Sequence, residues 1–428
     1  MGGSGGSAGL APLRERGYRL LWTSALIWYF ARWLNILVSG WLALELTNSA
    51  WLVALIGFFR TAPVPIFGAF AGAIADRFDR RRLVIFAEGL NVLATALIAY
   101  LLLTGRLEYW HLAGANLIYG LAWAIEFTAR RAMTPDLAGR DLVVPAIVLD
   151  TLSMNVSKAR GPLVGGGLIA SLGTTTSYVL LTCLYAATIL PLIPLRLPPV
   201  ANARPTVSSI RFLGEGLDFC RRHPAVRGVL LITVVMNVLG FPYIQLLPVF
   251  ARDILLVGPL GLGLLTAADG IGSLVGTAAL TGAGRIRRVG LLFVVGSLTM
   301  TTCLVLFATS PLYALSLGFL ILAGLGQSGF ASLQSAIILG AAGDALRGRA
   351  MGVLTLAIGS APVGMLLLGV LAAAFGAPLA VAASAATGAA LIGLTAWRTP
   401  GLVGHSAAET AEPANGDPVV AQPTTSRT

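Results

Sequence analysis

Gly68-Ala69-Phe70-Ala71-Gly72-Ala73-Ile74-Ala75-Asp76-Arg77-Phe78-Asp79-Arg80-Arg81-Arg82 carries an apolar segment directly into a cluster of charge. Upstream, Trp51 to Ala75 is long enough, at about 1.5 Å per residue, to cross the roughly 30 Å hydrocarbon layer as a helix. The arginines then stop that helix on the cytoplasmic face, where Lys and Arg are retained. Gly68 and Gly72 form a GxxxG pair that admits a second helix at close range, and Asp76 stands at the membrane boundary.

The rest of the chain has the composition such a crossing requires. It has 428 residues, 56% of them hydrophobic and 11% charged, with a mean hydropathy of +0.84, which describes a polytopic protein solvated mostly by lipid. A net charge of +11 reflects orientation in such a chain and does not point to nucleic acid. Cys183, Cys220 and Cys303 show no metal-ligand or CxxC spacing, so neither a disulfide framework nor a redox motif is indicated. No nucleotide-binding loop or nucleophile-base constellation is present, and no cofactor, metal or enzymatic activity is expected. The Gly/Ser-rich Met1 to Leu10 lacks the pattern of a removable signal peptide.

Apolar spans predict an all-α fold of twelve crossings, at about 18–46, 50–75, 83–104, 108–129, 142–171, 176–196, 226–250, 260–282, 289–309, 311–338, 350–375 and 377–397. With the N-terminus inside, only Arg106 and Arg252 of the 29 basic residues fall on the outer side. Arg32, Arg60, Lys158 and Arg160 lie within spans, and the remainder are cytoplasmic. Both termini are therefore placed in the cytoplasm and the chain in the inner membrane.

The expected organisation is a tail at 1–17, a six-helix half at 18–197, a linker at 198–225, a second half at 226–398 and a disordered tail at 399–428. Within the linker, Ser208 to His223 reads as a helix with Ile210, Leu213, Leu217 and Cys220 on one side, a stripe suited to the membrane surface. An internal repeat supports two pseudo-symmetric halves. Ala159-Arg160-Gly161-Pro162-Leu163-Val164-Gly165 matches Ser360-Ala361-Pro362-Val363-Gly364, proline on proline.

The opening stretch resembles the loop between the second and third helices of major facilitator superfamily transporters. Their pattern is a glycine, a small or aliphatic run, Asp-Arg and a basic cluster. A second glycine usually follows Asp-Arg-x, and here that place is Asp79. The run from Asp76 to Arg82 looks more like the branch of drug and siderophore exporters related to the enterobactin and macrolide efflux pumps. The resemblance implies that Gly72, Asp76, Arg77, Arg80 and Arg81 form a latch closing the cytoplasmic side, with Asp76 facing the positive N-terminus of the eleventh span.

Gly161, Pro162, Gly165 and Gly166 likewise resemble the fifth-helix signature of antiporting exporters, with Pro162 placed to kink the helix. The family's interface between halves is built from spans two, five, eight and eleven, and here Gly68/Gly72, Gly161/Gly165, Gly272/Gly276, Gly364 and Gly369 fall in those spans. Around Tyr119 the intramembrane arginine usual in the fourth span is missing.

Charges within spans are costly unless partnered in the interior. Arg32, Arg60, Lys158 and Arg160 stand against Glu88, Glu126, Asp150 and Asp269. Glu88 is expected beside Arg81 and Arg82, and Glu126 lies one turn before Arg130; both read as structural pairs. A proton-coupled cycle would use a desolvated carboxylate, Asp150 or Asp269.

The chain reads as a monomeric exporter of small amphipathic molecules working by alternating access with proton antiport. Its partners would be a small-molecule substrate, protons and the lipid bilayer, with no nucleic acid. The alternatives are an organic-anion or lysolipid transporter using Arg32, Arg60 and Lys158, and a transport-inactive membrane scaffold or sensor.

Overall fold

A computed structural model describes residues 10–67, 78–197, 209–282, 288–342 and 346–404. Among them every regular element is helical, as a lipid environment demands, because a helix satisfies its backbone polar groups within one segment. The chain runs through α1 (Arg16–Thr47), α2 (Ala50–Thr61), α3 (Arg80–Leu103), α4 (Tyr109–Ala138), α5 (Val143–Ile189), α6 (Ser209–Arg222), α7 (Pro224–Val235), α8 (Gly258–Gly282), α9 (Val289–Thr309), α10 (Tyr313–Ala341), α11 (Arg347–Ile358), α12 (Ala361–Phe375) and α13 (Ala377–Arg398).

Ten helical stretches of the described residues are long and apolar enough to span a membrane. One of them, Val143–Leu192, has the length of two crossings, and it divides at Gly173, where φ is 78° and ψ is 171°. Only glycine takes that backbone without strain. α4 supplies one more crossing: its 30 residues exceed the length needed, and its several charges explain its weaker apolar signal. The twelve expected crossings are thus accounted for. Gly68, Gly72, Asp76 and Arg77 lie outside the described residues, as does Ser208.

Three local differences from the expected spans have physical causes. α4 continues to Ala138, beyond the boundary expected at residue 129, so Arg130 is not a loop residue; it is only 7% exposed. The seventh crossing leaves regular α-helix for π turns at Met236–Gly240 and Phe250–Ile254 and a 3-10 stretch at Phe241–Leu246. Pro242 and Pro248 lack the N–H that the regular ladder needs there. The third difference concerns α6. Its Cys220 is 1% exposed, Glu215 pairs with Arg349 of α11 at 2.7 Å, and a Cβ on Gly216 would stand 2.7 Å from the Arg349 carbonyl. The Cys220 side of the linker helix therefore packs on protein, while Leu217 remains exposed.

The most extensive contacts between the first six crossings and the last six are those of α5 with α8 and of α2 with α12; α2 also meets the Phe241–Leu246 stretch and α1 meets Leu247–Val249. A Cβ on Gly263 would come within 2.7 Å of the Pro162 carbonyl, one on Gly270 within 2.7 Å of Ala159 Cα, and one on Gly369 within 2.7 Å of the Trp51 ring. Two of the glycine pairs, Gly161/Gly165 and Gly272/Gly276, serve other contacts than the interface expected of them, whereas Gly369 does meet the second crossing at Trp51. Gly161 and Gly165 face Phe30, Trp33, Leu34 and Leu37 of α1, while Gly272 and Gly276 face Ile321, Leu325 and Ser328 of α10. Gly166 is the glycine of the fifth crossing that meets α8, at Gly263.

These contacts also set the register of the repeat. Gly161 packs on the first crossing and Gly364 on Val238 of the seventh; Gly166 packs on the eighth and Gly369 on the second. Contacts therefore equate 161 with 364 and 166 with 369, about one helical turn away from the match of Pro162 to Pro362.

Candidate functional site

The interior charges fall into three groups. The first bridges α5 and α8. Lys158 Nζ lies 2.7 Å from Asp269 Oδ2, with side-chain exposures of 7% and 2%. The ammonium also donates to Gln327 Oε1 and, at 3.3 Å, to Ser273 Oγ. The Tyr243 hydroxyl stands beside Asp269, although neither it nor Asp269 Oδ1 makes a hydrogen bond of good geometry among the described residues. The pair is thus incompletely satisfied where the two sets of helices meet.

The second group surrounds Arg60. This arginine of α2 is 3% exposed and has no carboxylate partner among the described residues. Nε donates to Asn116 Oδ1 at 2.9 Å, and Nη2 donates to Asn116 Oδ1 at 2.6 Å, Asn35 Oδ1 at 2.5 Å and Ser39 Oγ at 3.3 Å. Its guanidinium lies 5.3 Å from the Tyr119 ring centroid. Gly120 makes this possible, because a Cβ there would meet the Arg60 backbone carbonyl. The cation missing from α4 around Tyr119 is therefore delivered from α2. Arg32, half-buried on α1, stacks over Trp123 at 3.9 Å and Trp28 at 5.5 Å, and makes no hydrogen bond or ion pair among the described residues. Aromatic faces attract a cation without neutralising it.

The third group is centred on Arg130. Its Nε donates to Glu126 Oε1 at 2.6 Å and its Nη2 to Glu88 Oε1 at 3.0 Å. Nη2 also donates to Ser24 Oγ at 2.9 Å and Nη1 to the Leu21 carbonyl at 3.4 Å. The expected pair of Glu126 with Arg130 is present. Glu88 is corrected: it pairs with Arg130 and not with Arg81 or Arg82. Arg81 instead donates to the carbonyls of Leu192, at 2.8 Å, and Ile193.

Among the other expected residues, Asp150 accepts a hydrogen bond from the Tyr29 hydroxyl at 3.0 Å. Arg160 is exposed and has no hydrogen bond or ion pair among the described residues. The helical run continues through Pro162, and its recorded break is at Gly173. Arg80 pairs with Asp136 at 2.8 Å. Asp79, standing where the family pattern has glycine, caps α3 by accepting from the amides of Arg81 and Arg82 at 2.9 and 3.3 Å.

Sequence reasoning missed Asn35, Ser39 and Asn116 around Arg60, Ser273 and Gln327 around Lys158, and Tyr29 beside Asp150. Polar residues on apolar helices were the available signal, since each needs a partner in lipid. Nothing in their spacing named those partners.

Several contacts between the two sets of helices lie at the Asn48 end of the molecule, and others, such as Gly57 with Gln245 and Gly359 with Pro65, lie deeper. Arg252 donates to the Leu44 carbonyl at 3.0 Å and to Asn48 Oδ1 at 2.8 Å. Gly40 faces Pro248, Gly166 faces Gly263 and Gly369 faces Trp51. At the opposite end the bonds Arg80–Asp136, Arg81–Leu192 and Arg349–Glu215 each stay within one set or join it to α6.

A family model described as transmembrane secretion effector matches residues 7–424. The enterobactin exporter EntS of Shigella boydii is 26% identical over 78% of this chain and 83% of its own length. The staphyloferrin A transporter of Staphylococcus aureus is 24% identical over 55% of this chain, and the match spans 59% of that relative's length. A bacterial homologue of the lysosomal transporter Spinster shares the fold with a TM-score of 0.70 at 14% identity, covering 92% of this chain and 98% of its own. A POT family transporter does so with a TM-score of 0.72 at 11% identity, over 90% and 96%.

Proposed function

The chain belongs to the transmembrane secretion effector family of the major facilitator superfamily and is a multi-pass membrane transporter, and we propose that it exports small, amphipathic, siderophore-like molecules by alternating access coupled to proton antiport. We place it in the inner membrane with both termini cytoplasmic, acting as a monomer. The enterobactin exporter relatives support the direction and the substrate class.

The observation that carries the mechanism is the Lys158–Asp269 pair. It joins α5 to α8 near the middle of both crossings, about two helical turns from the contact of Gly166 with Gly263. Parting these helices separates a buried cation from its carboxylate, which is costly unless a proton or a ligand charge replaces the lost partner. A proton on Asp269 supplies that replacement and links the conformational step to the gradient. With the Asn48 end outside, the contacts of Arg252 with Leu44 and Asn48 would belong to a closed outer face in this cycle, and substrate would enter from the cytoplasm.

Transport in proteoliposomes carrying a pH gradient tests this, screened over cationic, neutral and anionic iron-chelating compounds. Asp269→Asn is expected to lose uphill export and keep downhill exchange. Full gradient-driven export by the Asp150→Asn/Asp269→Asn double variant would remove both carboxylates from the mechanism.

A second reading, transport of organic anions, is favoured by Arg60 and Arg32. Both are interior cations without a carboxylate partner among the described residues. The same compound screen separates the readings through the charge of what is moved.

A further inference from the structure

Glu88 and Glu126 come from different helices, α3 and α4, and both are 0% exposed. They share a single guanidinium, that of Arg130. Three fully ionised groups would leave one negative charge in excess of the guanidinium in a buried site, and buried charge without compensation is strongly disfavoured.

Among the described residues, the surroundings supply no second cation in contact with the two carboxylates. From α1 come Ser24, Trp28 and Tyr29; from α3, Asn91, whose amide donates to Glu88 Oε2 at 3.3 Å; from α5, Tyr185, Thr188 and Asp150. Arg131 lines the adjoining space, but its guanidinium stacks on Phe127 at 4.1 Å. Arg32 of α1 lies within electrostatic reach yet is held over Trp123.

One oxygen shows where the deficit lies: Glu126 Oε2 is buried and has no hydrogen-bond partner. It belongs to a side chain lining a small cavity of about 30 Å³, bounded also by Tyr29, Arg130, Thr134 and Asp150. That volume is enough for one or two water molecules. The cavity leads from Glu126 toward Asp150 and Tyr18, near the end of the molecule where α5 begins.

We propose that Glu88 and Glu126 together hold one exchangeable proton against Arg130, forming a second proton-binding site separate from the Lys158–Asp269 pair. Water in the cavity delivers the proton to the Glu126 carboxylate, whose Oε2 becomes a neutral hydroxyl, and the net charge of the trio falls to zero. Loss of the proton through the same route restores the negative charge. Arg130 also bonds to Leu21 and Ser24, and Ser24 Oγ in turn donates to the Thr188 carbonyl. Occupancy is thereby felt by the first, third, fourth and sixth crossings.

The inference rests on the proton-coupled reading above, but its test needs no substrate and no transport. Infrared difference spectra of the purified protein in lipid vesicles, titrated from mildly acidic to mildly alkaline buffer, are expected to show a protonated-carboxyl C=O band that disappears with rising pH. Either Glu126→Gln or Glu88→Gln leaves one carboxylate facing one guanidinium, so each single variant should lose that band entirely. Two variants keep the test usable if one of them fails to fold. Asp150→Asn and Asp269→Asn should retain the band. Absence of a titrating band in the unmodified protein, its survival in either Gln variant, or its loss in Asp150→Asn or Asp269→Asn overturns the proposal.

Discussion

Lys158 Nζ and Asp269 Oδ2 stand 2.7 Å apart across the contact of α5 with α8, and Gln327 and Ser273 complete the hydrogen bonding of the ammonium but not of the carboxylate. Removing one member of a buried pair strands the other, which typically costs about 3–5 kcal/mol, whereas replacing both by apolar residues is often neutral. Asp269→Ala is therefore expected to lower the apparent Tm well below that of Lys158→Met/Asp269→Leu. Thermal unfolding followed by tryptophan fluorescence reads the difference. Equal melting of the two would show that the pair holds nothing together.

Gly166 and Gly167 are neighbours with opposite surroundings. A Cβ on Gly166 would come 2.9 Å from Gly263 Cα, against rigid backbone, while one on Gly167 would meet nothing within 4 Å. Gly166→Ala should push α5 from α8 at the Asn48 end, lengthening spin-label distances there, and Gly167→Ala should leave them unchanged. Gly272→Ala, which collides with the Ile321 carbonyl of α10, should lower Tm without altering those distances.

Asn116 supplies the acceptor for both Nε and Nη2 of Arg60. A buried donor left without its acceptor costs about 1–3 kcal/mol, and more when charged. Asn116→Leu should thus destabilise by at least that amount, and adding Arg60→Met should recover most of it because no cation then remains to be solvated. A double variant that melts lower than the single one would contradict this account.

Among the described residues, Arg32 is held by the faces of Trp28 and Trp123, contacts worth about 0.5–2 kcal/mol. Arg32→Ala should change Tm little and reduce transport of anionic compounds more than of cationic ones. Equal loss for both classes would mark it as a structural residue.

The sequence by itself determined the twelve crossings, their orientation signal and the superfamily, because length of apolar run and placement of arginine are local properties that lipid reads directly. It also identified the residues whose charge had to be explained, including Lys158, Asp269, Arg60 and Glu126. The i,i+4 pair of Glu126 with Arg130 was legible for the same reason, since both residues lie on one helix face.

Only the tertiary structure decided which charge meets which. Glu88 could face Arg81, Arg82 or Arg130 until α3 was packed against α4, and Arg60 finds Asn35 and Asn116 only because Gly120 lets α2 approach α4 backbone to backbone. The register of the repeat was hidden likewise. Proline matched proline in the sequence, but helices are aligned by what packs on their faces, and Gly161 with Gly364 and Gly166 with Gly369 carry the equivalent contacts. Partner choice between helices depends on close approach and rotation, quantities that a one-dimensional pattern of apolar and small residues does not encode.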